Sequence, residues 1–296
     1  MKTNNNKMTR NVITSMLLVA ITLMTVGCNK ESITPIEPNV KVSRIYTTST
    51  IITEQYNEST QTWDTMYYFP IARRLDIEFC WTGDRLDSMH HGEESLLFTY
   101  DSQGRLARIT SDYGLQYVDF EYNTGDKVSQ IHKCSLHEGD TVYKETYQYF
   151  WSNEKLQRVE NDIWALTPAE SGTKHSELFY TWTGDNISKT VRHMLYLNGK
   201  RDTVSYNYEV NNLVNPFYRH TFWQIPYSGL FISFDGTDGL NKNMLTRCYN
   251  DRTDRRFEYT TTGGRITGIH EVYSTVSASG LTRSTTVADY EIEYVK

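Results

Sequence analysis

Three stretches carry residue types that could do chemistry. His90-His91-Gly92-Glu93-Glu94 sets two imidazoles beside two carboxylates, a donor set suited to a divalent metal. On a strand, neighbouring residues point to opposite faces, so His90 and His91 share an ion only if the stretch is a loop. A polar turn between strands is the simpler expectation. Asp235 to Asn243, DGTDGLNKN, is oxygen-rich in the manner of a calcium loop, but it lacks the alternation and closing glutamate of an EF-hand. Glu291 and Glu293 share one strand face and would suit two-carboxylate glycoside hydrolysis at the right separation. The solvated face of an edge strand produces the same pattern. His90, His132 and His270 each lie four residues after an apolar residue, Leu86, Val128 and Ile266 in turn. Equivalent positions can form a column across a sheet, but non-adjacent strands would hold these imidazoles too far apart for one ion. The chain has no nucleophile elbow, zinc-protease helix, P-loop or dinucleotide fingerprint. The reading is therefore non-enzymatic, with no metal and no cofactor.

What must position these residues is a repeated unit. An aromatic, one residue, a second aromatic and a polar turn are followed by an apolar residue. Phe79-Cys80-Trp81 leads through TGDR to Leu86, Phe98-Thr99-Tyr100 through DSQGR to Leu106, and Phe120-Glu121-Tyr122 through NTGDK to Val128. Tyr149-Phe150-Trp151 leads through SNEK to Leu156, and Tyr180-Thr181-Trp182 through TGDN to Ile187. Tyr206-Asn207-Tyr208 leads through EVNN to Leu213, and Phe257-Glu258-Tyr259 through TTTGGR to Ile266. Aromatics two apart share a strand face, and Gly, Asn and Asp reverse the chain. The spacing of the units, 19 to 51 residues, points to hairpins with variable outer loops. No stretch of the mature chain shows convincing helical periodicity. The expected fold is all-β: a long antiparallel meander of roughly 14 to 18 strands, curling into an open or closed barrel-like sheet.

The second aromatics, Trp81, Tyr100, Tyr122, Trp151, Trp182, Tyr208 and Tyr259, would form a ladder on one face. Core packing is sufficient reason for them, since cross-strand aromatic pairs stabilise sheets. The functional alternative is a concave ligand platform for glycan. An apolar, irregular insert near 215–243 carries Trp223 among several aromatics, and either plugs the sheet or walls a pocket.

Tyr100-Asp101-Ser102-Gln103-Gly104-Arg105-Leu106 resembles a YD repeat, the hairpin unit of large secreted shells. The whole layout, over about residues 70 to 296, resembles a Bacteroidetes lipoprotein family of unknown function with a porin-like fold. In that family an irregular stretch carries an Asn-Pro and a later Leu-Ser-Lys-Asn. Asn215-Pro216-Phe217 and Leu240-Asn241-Lys242-Asn243-Met244 stand in those places, with Asn241 where Ser is usual. The resemblance implies fold and carries no activity. A membrane barrel needs a lipid-facing apolar band. Here the faces opposite the aromatics carry Asp, Glu, Gln and Asn, and the chain ends in Tyr294-Val295-Lys296 rather than a terminal aromatic.

The N-terminus reads as an export signal over 1–27. Lys2, Lys7 and Arg10 precede an apolar run from Val12 to Met24, too short to span a bilayer. Thr25-Val26-Gly27-Cys28 resembles a lipobox, which implies lipidation at Cys28 and a membrane anchor. Residues 28–40 contain Pro35 and Pro38 and read as a tether, leaving 41–296 as one hairpin-repeat domain. Asn29, rather than Asp, favours the outer membrane, and Lys30-Glu31 faintly resembles a surface-export tag. Which face of that membrane the domain occupies is left open. Without the three leader cations the formal charge moves from −6 to −9, which argues against nucleic acid as a partner. A glycan or an envelope protein fits better. Beyond Cys28 there are three cysteines, Cys80, Cys134 and Cys248, expected mainly as buried thiols.

Overall fold

The computed structural model describes residues 41–111, 116–137, 140–165, 173–215, 218 and 240–295. Sixteen strands follow one another: β1 (Val42–Asn57), β2 (Thr62–Thr82), β3 (Arg85–His91), β4 (Glu94–Tyr100), β5 (Leu106–Ser111), β6 (Gln116–Tyr122), β7 (Val128–His137) and β8 (Asp140–Ser152). The second half comprises β9 (Lys155–Ala165), β10 (Thr173–Thr183), β11 (Asn186–Tyr196), β12 (Arg201–Val214), β13 (Asn243–Tyr249), β14 (Thr253–Thr262), β15 (Arg265–Val276) and β16 (Thr282–Tyr294). Each pairs antiparallel with its chain neighbours, and β1 pairs with β16, so the sheet closes into a barrel. Closure removes the edges that an open meander of this length would expose. The expected leader and tether, Cys28 and Trp223 lie outside the described residues.

The turns follow from local chemistry. Gly263 and Gly264 both take positive φ, 58° and 79°, the pattern of a two-residue hairpin turn. Asn153 and Glu154 adopt the same pattern without glycine, at 49° and 64°. In the longer turn after β4, the Asp101 carboxylate accepts the N–H groups of Gln103 and Arg105, each at 2.9 Å. Asn123 does the same for Gly125 and Lys127 after β6. The acid of the YD-like unit is thus a turn former.

Each returning strand opens with a β-bulge. Trp81 faces Leu86, but the preceding Cys80 faces Ser88, so Asp87 is extra. The same displacement follows Leu106, Val128, Leu156, Ile187, Leu245 and Ile266. A bulge shifts the alternation by one, so residues three apart share the inner face. Leu86 with Met89, Leu106 with Ile109, Val128 with Ile131, Leu156 with Val159 and Ile266 with Ile269 are all buried. Together with Ile45, Ile77, Phe98, Phe120 and Phe257 they fill the half of the barrel nearest the short turns.

One expected hairpin is displaced. Asn211 and Asn212 do not turn the chain at EVNN. β12 continues to Val214, helped by an Asn211 side chain that accepts the Leu213 N–H at 2.9 Å. The strand returning beside Tyr208 is β13, beyond the insert, which is why the last spacing is so long. An eighth unit is split between the chain ends: Tyr294 closes β16, and its neighbouring strand β1 opens at Val42.

Candidate functional site

The aromatic ladder is a collar around the inner wall. Trp81, Tyr100, Tyr122, Trp151, Trp182 and Tyr259 are partly buried against the core, and Tyr208 is buried. Except at Tyr208, each polar tip reaches the carbonyl of the residue just before a bulge in the adjacent hairpin. Trp81 Nε1 donates to Val42 at 2.8 Å, the Tyr100 hydroxyl to Leu86 at 2.8 Å, and Tyr122 to Leu106 at 2.8 Å. Trp151 donates to Val128 at 2.7 Å and Trp182 to Leu156 at 2.8 Å. Tyr259 donates to Leu245 at 2.5 Å, and Tyr294 to Ile266 at 2.6 Å. Bulges disrupt the ladder locally, and these side chains satisfy a carbonyl there.

In five units the cation just before the opening residue covers a ring. Arg85 lies over Tyr100, Arg105 over Tyr122, Lys127 over Trp151, Lys155 over Trp182 and Arg265 over Tyr294, at 4.5 to 5.7 Å from the ring centres. Core on one side and cation on the other leave little face for stacking a ligand. The sequence signal for this was the Lys or Arg that ends five of the seven turns. Burial holds the Tyr122 and Tyr294 phenols up at about 12.

Tyr208 departs from the pattern. Its hydroxyl pairs with Thr190 at 2.9 Å. The place at Ile187 is taken by Asn241, whose side-chain oxygen accepts the Ile187 N–H at 2.6 Å. Asn243 and Asn186 exchange two further bonds, and the Asn215 amide donates to the Asn241 carbonyl at 2.9 Å. Asn241 and Asn243 are thus fastened to the start of β11, and Asn215 is fastened to Asn241.

Above the apolar half, the inner wall turns polar. Thr47 donates to Asp76 at 3.1 Å, with His91 and Arg74 within 3.4 and 3.6 Å of the same carboxylate. Buried Glu271 accepts from Tyr290 at 2.9 Å and pairs with Arg255. Both burial and the nearby Glu271 push the Tyr290 phenol well up. On another wall, Glu145 accepts from Tyr147 at 2.7 Å and from Tyr143. Arg74 and His91 are solvent-exposed, so the first cluster presents donors to an entering ligand.

The other candidates lie apart. His90 faces outward to Ser88 and Ser95, while His91 faces inward. His132 meets Glu121, and His270 meets Asp289, on separate strands of the outer wall. Glu291 is held by Arg73, which draws its carboxyl below the ordinary range. Among the described residues no three His, Cys, Asp or Glu side chains are grouped to hold a metal. Of the calcium-like stretch, residues 235–239 lie outside the described residues. Cys80, Cys134 and Cys248 are thiols, not disulfides. An outer-wall depression of about 390 Å³ is lined by Asp254, Arg256, Glu258, His270, Val272 and Ser274.

The most exposed aromatics were not in the ladder. Met66, Tyr67, Tyr68 and Phe69 on β2 are 46 to 65% exposed. A run of four apolar residues on a strand must place side chains on both faces, and that was the available signal.

This is a closed, all-β barrel of the porin-like type. A porin-like protein from Bacteroides vulgatus superposes with a TM-score of 0.51 at 10% identity, covering 86% of this chain and 99% of that one. A second porin-like protein, from Bacteroides uniformis, gives 0.47 at 16% identity, covering 88% and 99%. No protein-family model matches the chain, and no curated protein matches it in sequence.

Proposed function

We propose that this chain is an outer-membrane-anchored lipoprotein, held through Cys28, whose barrel hangs from the tether as a non-catalytic binding module. The observation that carries this reading is the outer wall. Cross-strand ion pairs stud it: Arg44–Glu78, Arg108–Asp119 and Arg247–Asp254. Such charges are costly against lipid, where a spanning barrel carries an apolar band. The buried apolar cluster inside the barrel also supports binding rather than passage. The polar cluster around Asp76 is the proposed ligand site.

A carbohydrate-binding accessory is the second reading, moved off the collar. Tyr67 and Phe69 stack nearly parallel, 15° apart, with ring centres 6.0 Å apart on an exposed face, a geometry suited to a sugar ring.

The test is fractionation of cells expressing the full chain and its Cys28→Ser variant. The expected result is a detergent-requiring wild type and a soluble variant. A wild type extracted without detergent overturns the anchor. Protease shaving of intact cells then assigns the face. Loss of glycan retention in Tyr67→Ala, with folding intact, would favour the second reading.

A further inference from the structure

The wall of the barrel is uneven. β2 has 21 residues, whereas β3 to β6 have six or seven each. β3 pairs only with Ile77–Thr82, so among the described residues Thr62–Asp76 has a strand neighbour on one side alone, β1. This open edge runs about 45 Å at roughly 3.3 Å per residue. It is apolar at its centre and charged towards its ends.

The geometry points to a second copy of this chain as the occupant, added through antiparallel pairing of β2 with β2 about a two-fold axis at Phe69. Three observations carry it. The first is charge. In that register Asp64 of one copy meets Arg74 of the other, and vice versa, while Trp63 meets Leu75 and Tyr67 meets Ile71. The second is the faces. Register with β1 places Asp64, Tyr67, Phe69, Ile71 and Arg74 on the inner face, and Trp63, Pro70 and Leu75 on the outer. Every pair named above therefore joins residues of the same face.

The third is the bulges. β2 carries an extra residue at Met66 and another at Ala72–Arg73. These sit three residues either side of Phe69, so the two-fold lays one bulge against the other. Any strand without matching bulges falls out of face register there. The same features that protect the edge in general admit its own mate, and a two-fold interface of this kind closes on itself.

The experiment is sedimentation of the full chain in detergent, with charge-swap variants. Wild type should sediment as a dimer. Asp64→Arg and Arg74→Asp, both at exposed positions, should each weaken it about tenfold or more, because like charges then face each other across the strands. Mixing the two variants should restore a heterodimer. Phe69→Cys should form a disulfide-linked dimer on oxidation, whereas Thr60→Cys in the β1–β2 turn should not. A wild type that stays monomeric at tens of micromolar, or a dimer indifferent to both swaps, overturns the proposal; so does a monomer that gains a strand from an added peptide instead of from itself.

Discussion

Arg105 and Tyr122 belong to successive hairpins, yet the guanidinium lies 4.5 Å from the ring centre while the Tyr122 hydroxyl donates to the carbonyl of Leu106, the residue after Arg105. One hairpin thereby grips the next by two adjacent residues. Repeated at Tyr100, Trp151, Trp182 and Tyr294, this contact makes a girdle of tyrosines and tryptophans that is interrupted at Tyr208.

Removing the grip should loosen the barrel without changing its fold. Tyr122→Phe keeps the ring and loses the bond to Leu106, so unfolding free energy should fall by about 1 kcal/mol in a urea titration. Arg105→Ala should cost less, and the double variant should fall short of the sum, since both act on the same ring.

The anchor of the insert is the more sensitive point. Asn241 is 1% exposed, and its side-chain oxygen accepts the Ile187 N–H. Asn241→Ala should cost about 1–3 kcal/mol, the penalty of a buried donor left unpaired. Tyr208→Phe, which removes only the bond to Thr190, should cost less. Thermal unfolding of the two variants separates them.

Glu271 and Arg255 form an ion pair whose side chains are 5 and 19% exposed. Removing Arg255 alone strands a buried carboxylate, so Arg255→Met should destabilise on the order of 3–5 kcal/mol. The double change with Glu271→Leu should recover most of that loss. Chemical denaturation of the three variants measures it.

Alkali should unfold the barrel earlier than its carboxylates would suggest. The Tyr122 and Tyr294 phenols are held at about 12, against 10 in an unfolded chain. A raised folded value means the contribution to stability is complete below pH 10. It is lost as the pH rises from about 10 to about 12, where the unfolded state releases its protons first. Unfolding midpoints should drop across that window, and a phenolate absorbance titration should show a late-titrating fraction. Tyr122→Phe with Tyr294→Phe should flatten the drop.

Local chemistry was legible in the chain alone. Alternating Phe98 and Tyr100, or Tyr290, Ile292 and Tyr294, specify strands and their inner face, and Asp101 or Gly263-Gly264 specify turns, because these preferences act within a few residues. Seven aromatic pairs thus announced a hairpin repeat, and FTYDSQGRL, residues 98–106, ends one strand and turns the chain into the next. What depends on distant partners was not legible. That Val42 completes the unit begun by Tyr294 follows from closure, which joins the two ends of the chain. That Tyr208 returns through β13, not Leu213, follows from Asn241 docking on Ile187, 54 residues away in sequence. The burial of Leu86 with Met89, three apart, needs a bulge, and a bulge exists only against a paired strand. The same holds for the edge of β2: its residues are written in the sequence, but the shortness of β3 leaves Thr62–Asp76 with a single strand neighbour among the described residues.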